Sequence, residues 1–239
     1  MIYVGTSGYN YPEWRGTFYP EEFPAKDMFG YYSARFRTVE INYTFYRMPT
    51  AKTTGAWREQ APEGFRYALK APRRITHDKR LKDVADSTQF FCDAARVLGP
   101  SLGPLLFQLP PNLKCDVPRL DAFLETVPRD LRSAMEFRHD SWHTTEVYDV
   151  LKKHGVAICI ADFGDHTTPL EVTASHGYFR LRDEGYGVDD LAKWASAIKE
   201  RASGWEDVFV YFKHEEEGKG PEFAKRFLEQ LAPNGAAGL

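Results

Sequence analysis

Val39-Glu40-Ile41-Asn42-Tyr43-Thr44-Phe45-Tyr46 opens with strict alternation of apolar and polar residues. Val39, Ile41 and Tyr43 fall on one face of an extended segment and Glu40, Asn42 and Thr44 on the other, because successive side chains of a strand point to opposite sides. An exposed antiparallel strand would show the same pattern. What separates the two readings is whether the rest of the chain builds a parallel barrel around this stretch, with the polar face turned inward.

Working outward, strand and helix signals alternate. Strands are predicted at Ile2 to Thr6, from Thr38, and at Phe65 to Lys70, Leu105 to Leu109, Ala134 to His139, Val156 to Ala161, Tyr178 to Arg182 and Val208 to Phe212. Apolar residues at helical spacing fill the intervals at Asp27 to Phe36, Pro49 through Trp57, Ser87 to Leu98, Pro118 to Val127, Thr144 to His154, Asp189 to Ala202 and Pro221 to Leu231. Gly155 stands where a helix closes in the left-handed conformation. Between Phe163 and Gly177 no helical pattern exists, so the helix between the sixth and seventh strands is predicted to be reduced or missing. Eight strands mostly separated by helices specify an α/β fold, a (β/α)8 barrel. The 239 residues match one such barrel of roughly 250 residues, so one domain over 1–239 is expected, with 232–239 as a frayed tail.

In a barrel of this kind the site lies at the C-terminal ends of the strands. Those ends carry Glu40 and Asn42, Lys70, Gln108, Glu136 and Arg138, Asp162, Arg180 and Arg182, and Lys213 and His214. Glu40, Lys70, Glu136 and Asp162 are the candidate catalytic groups. Glu40 is expected to pair with Lys70 on the neighbouring strand and to keep one lone pair free as a general base. Glu136 and Arg138, two apart on one strand, read as a structural ion pair or as part of the chemistry. Asn42, Gln108, Arg138, Arg180, Arg182, Lys213 and His214 are assigned to substrate binding. Tyr9 and Trp14 join them from the aromatic loop between Gly8 and Lys26, which either packs on itself or stacks on a ligand ring.

A formal charge of −3 argues against a protein that coats nucleic acid through its overall field. Charge is local instead: Arg73, Arg74, Lys79, Arg80 and Lys82 surround His77 in one loop, either as a solvated run or as an anion clamp. Cys92, Cys115 and Cys159 form no Cys-x-x-Cys pair, as expected of a reduced cytoplasmic protein. No leader pattern and no apolar run of about 18 residues is present, so a soluble chain without membrane contact is expected. There is no nucleotide-cofactor motif. The histidines show neither His-x-His nor His-Glu-x-x-His spacing, which leaves a Mg2+ or Mn2+ ion on Glu136, Asp162 and His214 as the divalent-metal alternative.

Gly5-Thr6-Ser7-Gly8 with Trp14 and Tyr19-Pro20, Val39-Glu40-Ile41-Asn42 through Phe45-Tyr46-Arg47, Gln108-Leu109-Pro110-Pro111, Glu136-Phe137-Arg138-His139 with Ser141-Trp142, and Asp162 resemble the motif set of the YecE-like domain-of-unknown-function family. The resemblance covers nearly the whole chain and implies a TIM-type barrel, a fold that has been compared with endonuclease-IV-like barrels. It brings no established activity. The chain departs from the family pattern in two places: Arg180-Leu181-Arg182-Asp183 where Arg-Leu-His-Gly is usual, and Lys213-His214 where an Asn pair is usual. Both changes add positive charge or proton-transfer capacity at the expected mouth. Three functions are therefore carried forward. The first is an enzyme, most simply a hydrolase, lyase or isomerase, acting on an anionic small molecule or sugar by carboxylate acid/base chemistry. The second is a nucleic-acid-binding or phosphodiester-cleaving barrel using Arg73, Arg74, Lys79 and Arg80. The third is a ligand-binding module without turnover.

Overall fold

Alternation along the stretch from Val39 marks an interior barrel strand, and the strand is shorter than its pattern. The computed structural model describes residues 1–163, 166–183 and 185–232. Its strands are β1 (Ile2–Ser7), β2 (Thr38–Ile41), β3 (Arg66–Lys70), β4 (Leu102–Gln108), β5 (Ser133–Glu136), β6 (Ala157–Phe163), β7 (His166–Thr167), β8 (His176–Leu181) and β9 (Asp207–Phe212). All except β7 are parallel, and the order β5-β4-β3-β2-β1-β9-β8-β6 closes through a β5–β6 pairing into an eight-stranded barrel. The fold is the α/β TIM-type barrel that the strand count specifies. The helices are α1 (Met28–Ser33), α2 (Tyr43–Tyr46), α3 (Ala51–Gln60), α4 (Ala85–Arg96), α5 (Val117–Leu124), α6 (Thr145–His154), α7 (Val188–Arg201) and α8 (Lys219–Leu231).

Two layers of side chains follow from the two-residue period. Inward-facing Tyr3, Ala68, Leu106, Ala134, Cys159, Tyr178, Phe209 and Tyr211 fill the lumen, and Tyr3 stacks on Phe209 with ring centroids 4.9 Å apart. Outward-facing Val39, Ile41, Leu69, Leu105, Phe107, Ile158, Ile160, Phe179 and Val210 pack under the helices. Each large apolar side chain buried this way contributes about 1.5–3 kcal/mol. At Gly5 the backbones of β1 and β2 approach so closely that a Cβ would sit 2.1 Å from the Thr38 carbonyl oxygen, and only glycine fits.

Element boundaries differ from expectation where a local signal is short or shared. The alternation through Tyr43 ends at Ile41, and Tyr43–Tyr46 forms a single helical turn with the Thr44 hydroxyl donating to the Lys70 carbonyl at 2.6 Å. β4 starts at Leu102, ahead of Leu105, because Gly103 and Pro104 are accommodated in the strand. The connection from β6 to β8 has no helix among the described residues. It carries β7, paired antiparallel to β6, and Thr173, whose hydroxyl donates to the Val156 carbonyl and accepts from the Ile158 amide, both at 2.8 Å. Residues 233–239 of the expected tail lie outside the described residues.

The aromatic loop packs on itself. Trp14 and Tyr19 are buried, with Phe18, Phe23 and Tyr31 in ring contact around Tyr19. Among the ladder contacts, β8 and β9 share six register pairs, whereas β5 and β6 share two. Two side-chain ties reach from β8 across β6 to β5: His176 Nε2 donates to the Ser133 carbonyl at 3.0 Å, and Arg180 pairs with Glu136.

Candidate functional site at the barrel mouth

Arg180 is the hub, fully buried at 0% exposure. Its side chain leaves β8 inward, one pleat above Tyr178, and its guanidinium joins two carboxylates from distant strands. One nitrogen donates to Glu136 at 2.5 Å, the other to Glu40 at 2.8 Å. Glu40 also accepts from the Tyr178 hydroxyl at 2.6 Å and from the Ser7 hydroxyl. Glu136 accepts from Gln108 Nε2 at 2.8 Å and from Arg138 Nε at 2.6 Å. Asn42 Nδ2 donates to the Ser7 hydroxyl at 2.8 Å. A planar guanidinium suits this bridging role as an ammonium would not, since its donors are held in a fixed fork.

The electrostatics follow from burial and neighbours. Burial alone would push the Glu136 carboxyl up, but the charges of Arg180 and Arg138 outweigh it and hold the group well below the usual carboxylate range. Burial works against the Arg180 charge, and the two glutamates overcome it, so the guanidinium stays firmly protonated. Lys70 behaves differently. Burial, with Arg180 next, lowers its ammonium to about 8 in spite of Glu136 and Glu40. Arg182 and Lys213 are likewise lowered by burial and by the surrounding cations.

These placements change several expectations. Glu40 and Lys70 share the lumen, but the partner of Glu40 is Arg180: the arginine reaches across from β8, while the Lys70 ammonium lies 4.3 Å above the centre of the Phe45 ring. Glu136 and Arg138 do form the ion pair that their spacing suggests. Asp162 is not in the mouth. Cys159 faces inward, so three positions on Asp162 points outward, where it accepts from the Arg182 amide at 2.7 Å, from Trp194 Nε1 at 3.2 Å and from the Tyr186 hydroxyl. His214 also faces out; its Nε2 donates to the Asp183 carbonyl at 2.7 Å and its ring packs on Phe223. The barrel wall therefore separates Glu136 from Asp162 and His214, and that trio cannot share one ion; among the described residues no other group of three His, Cys, Asp or Glu side chains is placed to hold one. Trp14 is fully buried with its indole N–H on the Glu215 carbonyl at 2.9 Å, and the half-buried Tyr9 packs on Phe29 and Tyr32, so both support the loop.

Inward residues at the strand ends are thus Ser7, Glu40, Asn42, Lys70, Gln108, Glu136, Arg138, Arg180, Arg182 and Lys213. Sequence reasoning passes over Ser7, Tyr178 and Tyr11, although the first two share the inward parity of Tyr3 and Arg180. Tyr11 sits against the site from the aromatic loop, its hydroxyl donating to the Ser7 carbonyl at 2.9 Å. His77, 4.9 Å from the Phe45 ring, brings the basic turn beside Lys70.

A family model described as a protein of unknown function, DUF72, matches residues 3–237. The chain belongs to the DUF72 family. YunF of Bacillus subtilis is 26% identical over 271 residues, an alignment covering 97% of this chain and 95% of that one. YecE of Escherichia coli is 31% identical over 142 residues, covering 58% of this chain and 49% of its own length. Among solved structures, a DUF72 protein of Thermotoga maritima superposes with a TM-score of 0.82 at 26% identity, covering 97% of this chain and 99% of the other. D-psicose 3-epimerase of Clostridium cellulolyticum, solved with D-tagatose, gives 0.55 at 13% identity over 96% of this chain and 95% of its own, a likeness of fold alone. In this DUF72 protein the two departures from the YecE-like pattern reach the mouth in part: Arg182 and Lys213 face inward with Arg180, whereas His214 faces out.

Proposed function

We propose that this DUF72 protein is an enzyme acting on a small molecule that bears a phosphate or carboxylate, bound at the C-terminal mouth of the barrel. One observation carries the reading. Lys70, Arg138, Arg180, Arg182 and Lys213 converge there against two buried carboxylates, Glu40 and Glu136, and Lys70, Arg182 and Lys213 lose proton affinity to burial and to the neighbouring cations. An anion would relieve that repulsion. Lys70 is only 9% exposed, which favours a small ligand over a polymer. Glu40 and Glu136 accept three hydrogen bonds each, which occupy their lone pairs, so proton transfer falls to Lys70, whose titration near 8 suits it.

Calorimetry with inorganic phosphate, oxalate and a panel of sugar phosphates tests the binding half. Arg182→Gln and Lys213→Gln are each expected to weaken the best ligand about tenfold to a hundredfold, the worth of one charge-assisted hydrogen bond of about 1.5–3 kcal/mol. Because the Lys70 ammonium loses its proton near pH 8, affinity should fall as pH rises through that value. No binding by any of these anions, or binding indifferent to both substitutions, would sink the reading.

A second reading rests on the rim. Arg73, Arg74, Lys79 and Arg80 are exposed on the turn whose His77 packs on Phe45, and Tyr46, in ring contact with Phe45, is 81% exposed, a combination of charge and ring that suits a single-stranded nucleic acid. Its weight is reduced by the Arg73–Asp78 ion pair at 3.0 Å and the Arg80–Asn112 hydrogen bond at 3.3 Å. Salt-dependent oligonucleotide binding that survives saturation with phosphate would favour it.

A further inference from the structure

We infer that Lys70 is a nucleophilic amine that forms a Schiff base with an anionic aldehyde or ketone. The inference deepens the proposed function and rests on the same mouth. Geometry comes first. Lys70 ends β3 facing into the lumen, and its backbone is fixed on both sides: its carbonyl accepts from the Thr44 hydroxyl, and the next amide, Ala71, donates to the Leu106 carbonyl at 2.8 Å. Its ammonium is held over the Phe45 ring at 4.3 Å, a contact that positions the nitrogen without consuming its lone pair once the proton has left.

The charged groups facing it from each neighbouring element are Glu40 on β2, Glu136 on β5, Arg180 on β8, Lys213 after β9 and His77 in the turn after β3. The carboxylates are tied to Arg180 by hydrogen bonds, so neither acts as a close counter-ion that would keep the amine protonated. A lysine used only to hold an anion would be better served by full exposure and an ordinary proton affinity. A buried lysine among cations is the arrangement that makes a free amine available near neutral pH.

In the reaction, the Lys70 Nζ lone pair forms a bond to the carbonyl carbon while the C=O π electrons move to oxygen. The resulting carbinolamine loses that oxygen with the two amine hydrogens as water, leaving a neutral imine, C=N, which becomes the iminium by taking one proton from solvent. The anionic group of the carbonyl compound, a carboxylate or phosphate, is met by Arg182 and Lys213, and Glu136 stays ionised throughout, held by Arg180 and Arg138. The substrate class is therefore a small oxo-acid or oxo-phosphate.

The test uses the full chain with glyoxylate as an anionic aldehyde and cyanoborohydride as hydride donor to the iminium carbon, followed by peptide mass mapping. The expected result is one reduced adduct on the peptide carrying Lys70, ahead of the surface lysines Lys26, Lys52 and Lys152, and suppressed by inorganic phosphate. Lys70→Arg should lose that adduct while still binding phosphate; if this variant does not fold, the wild-type map decides alone. Phosphate binding with adducts spread over surface lysines and Lys70 unlabelled would overturn the Schiff base and leave the proposed function standing. Absence of both phosphate binding and labelling would overturn the two together.

Discussion

Arg180 shows at the level of one residue why the mouth is rigid. A buried guanidinium between two carboxylates is costly to assemble, and removing one partner costs more, because the remaining charges have no water to turn to. Arg180→Met should therefore destabilise the protein by roughly 3–5 kcal/mol, read from the urea midpoint; an unchanged midpoint would mean that solvent reaches the cluster. Acid should act through the same group. The Glu136 pKa is depressed from its ordinary 4.5 in the folded state, so its contribution is complete above that value and is lost as pH falls through the lower folded one. A circular-dichroism acid titration of Glu136→Gln should accordingly show a shallower acid limb than wild type, from a lower starting stability. Lys70 gives a slope of the same sign in a higher pH window. Its folded pKa is lowered from 10.5 to about 8, so the folded chain holds fewer protons between those values and gains stability from this group as pH rises across them. Sequence alone made Glu40, Glu136 and Arg180 visible as polar residues on apolar strands. Which cation meets which carboxylate was not legible, because the pair spans 140 residues of chain and depends on barrel closure.

Single elements were legible where a local rule fixes them. The helix α6 has Thr144 at its N-cap, accepting from the Val147 amide at 3.4 Å, and Gly155 at its end with φ of 65°. A Cβ at Gly155 would meet nothing within 4 Å, so a Gly155→Ala change tests backbone conformation alone. The expected loss is about 1 kcal/mol, measured by thermal or urea unfolding. The same reasoning by parity places Asp162 and His214. Both lie one residue past an inward position, and counting in twos from Cys159 and Tyr211 turns them outward, a step that proximity to a strand end obscures. β2 shows the limit of parity in the other direction. Tyr43 continues the alternation of Val39 and Ile41, but the hydrogen bond from Thr44 to the Lys70 carbonyl bends the chain into α2, and no residue before Ile41 signals that turn.

At the level of the whole molecule, alternation of strand and helix was sufficient for the architecture, and the lack of a helix between β6 and β8 among the described residues was readable from the Pro- and Thr-bearing connection before His176. The asymmetry of the closed sheet was not. β5 and β6 meet through Ala134↔Ala157 and Met135↔Ile158 alone, while β8 and β9 run together for six pairs. The β5–β6 seam is thus the shortest ladder of the barrel, and the Arg180–Glu136 and His176–Ser133 ties act as two clasps over it. When the barrel breathes, it should part there first. Hydrogen–deuterium exchange followed by mass spectrometry should find the amides of Ser133–Glu136 and of Ala157–Phe163 exchanging before those of β9, and Glu136→Gln should speed them while leaving β9 slow. The charges that shape the mouth would then also set the order in which the sheet unzips.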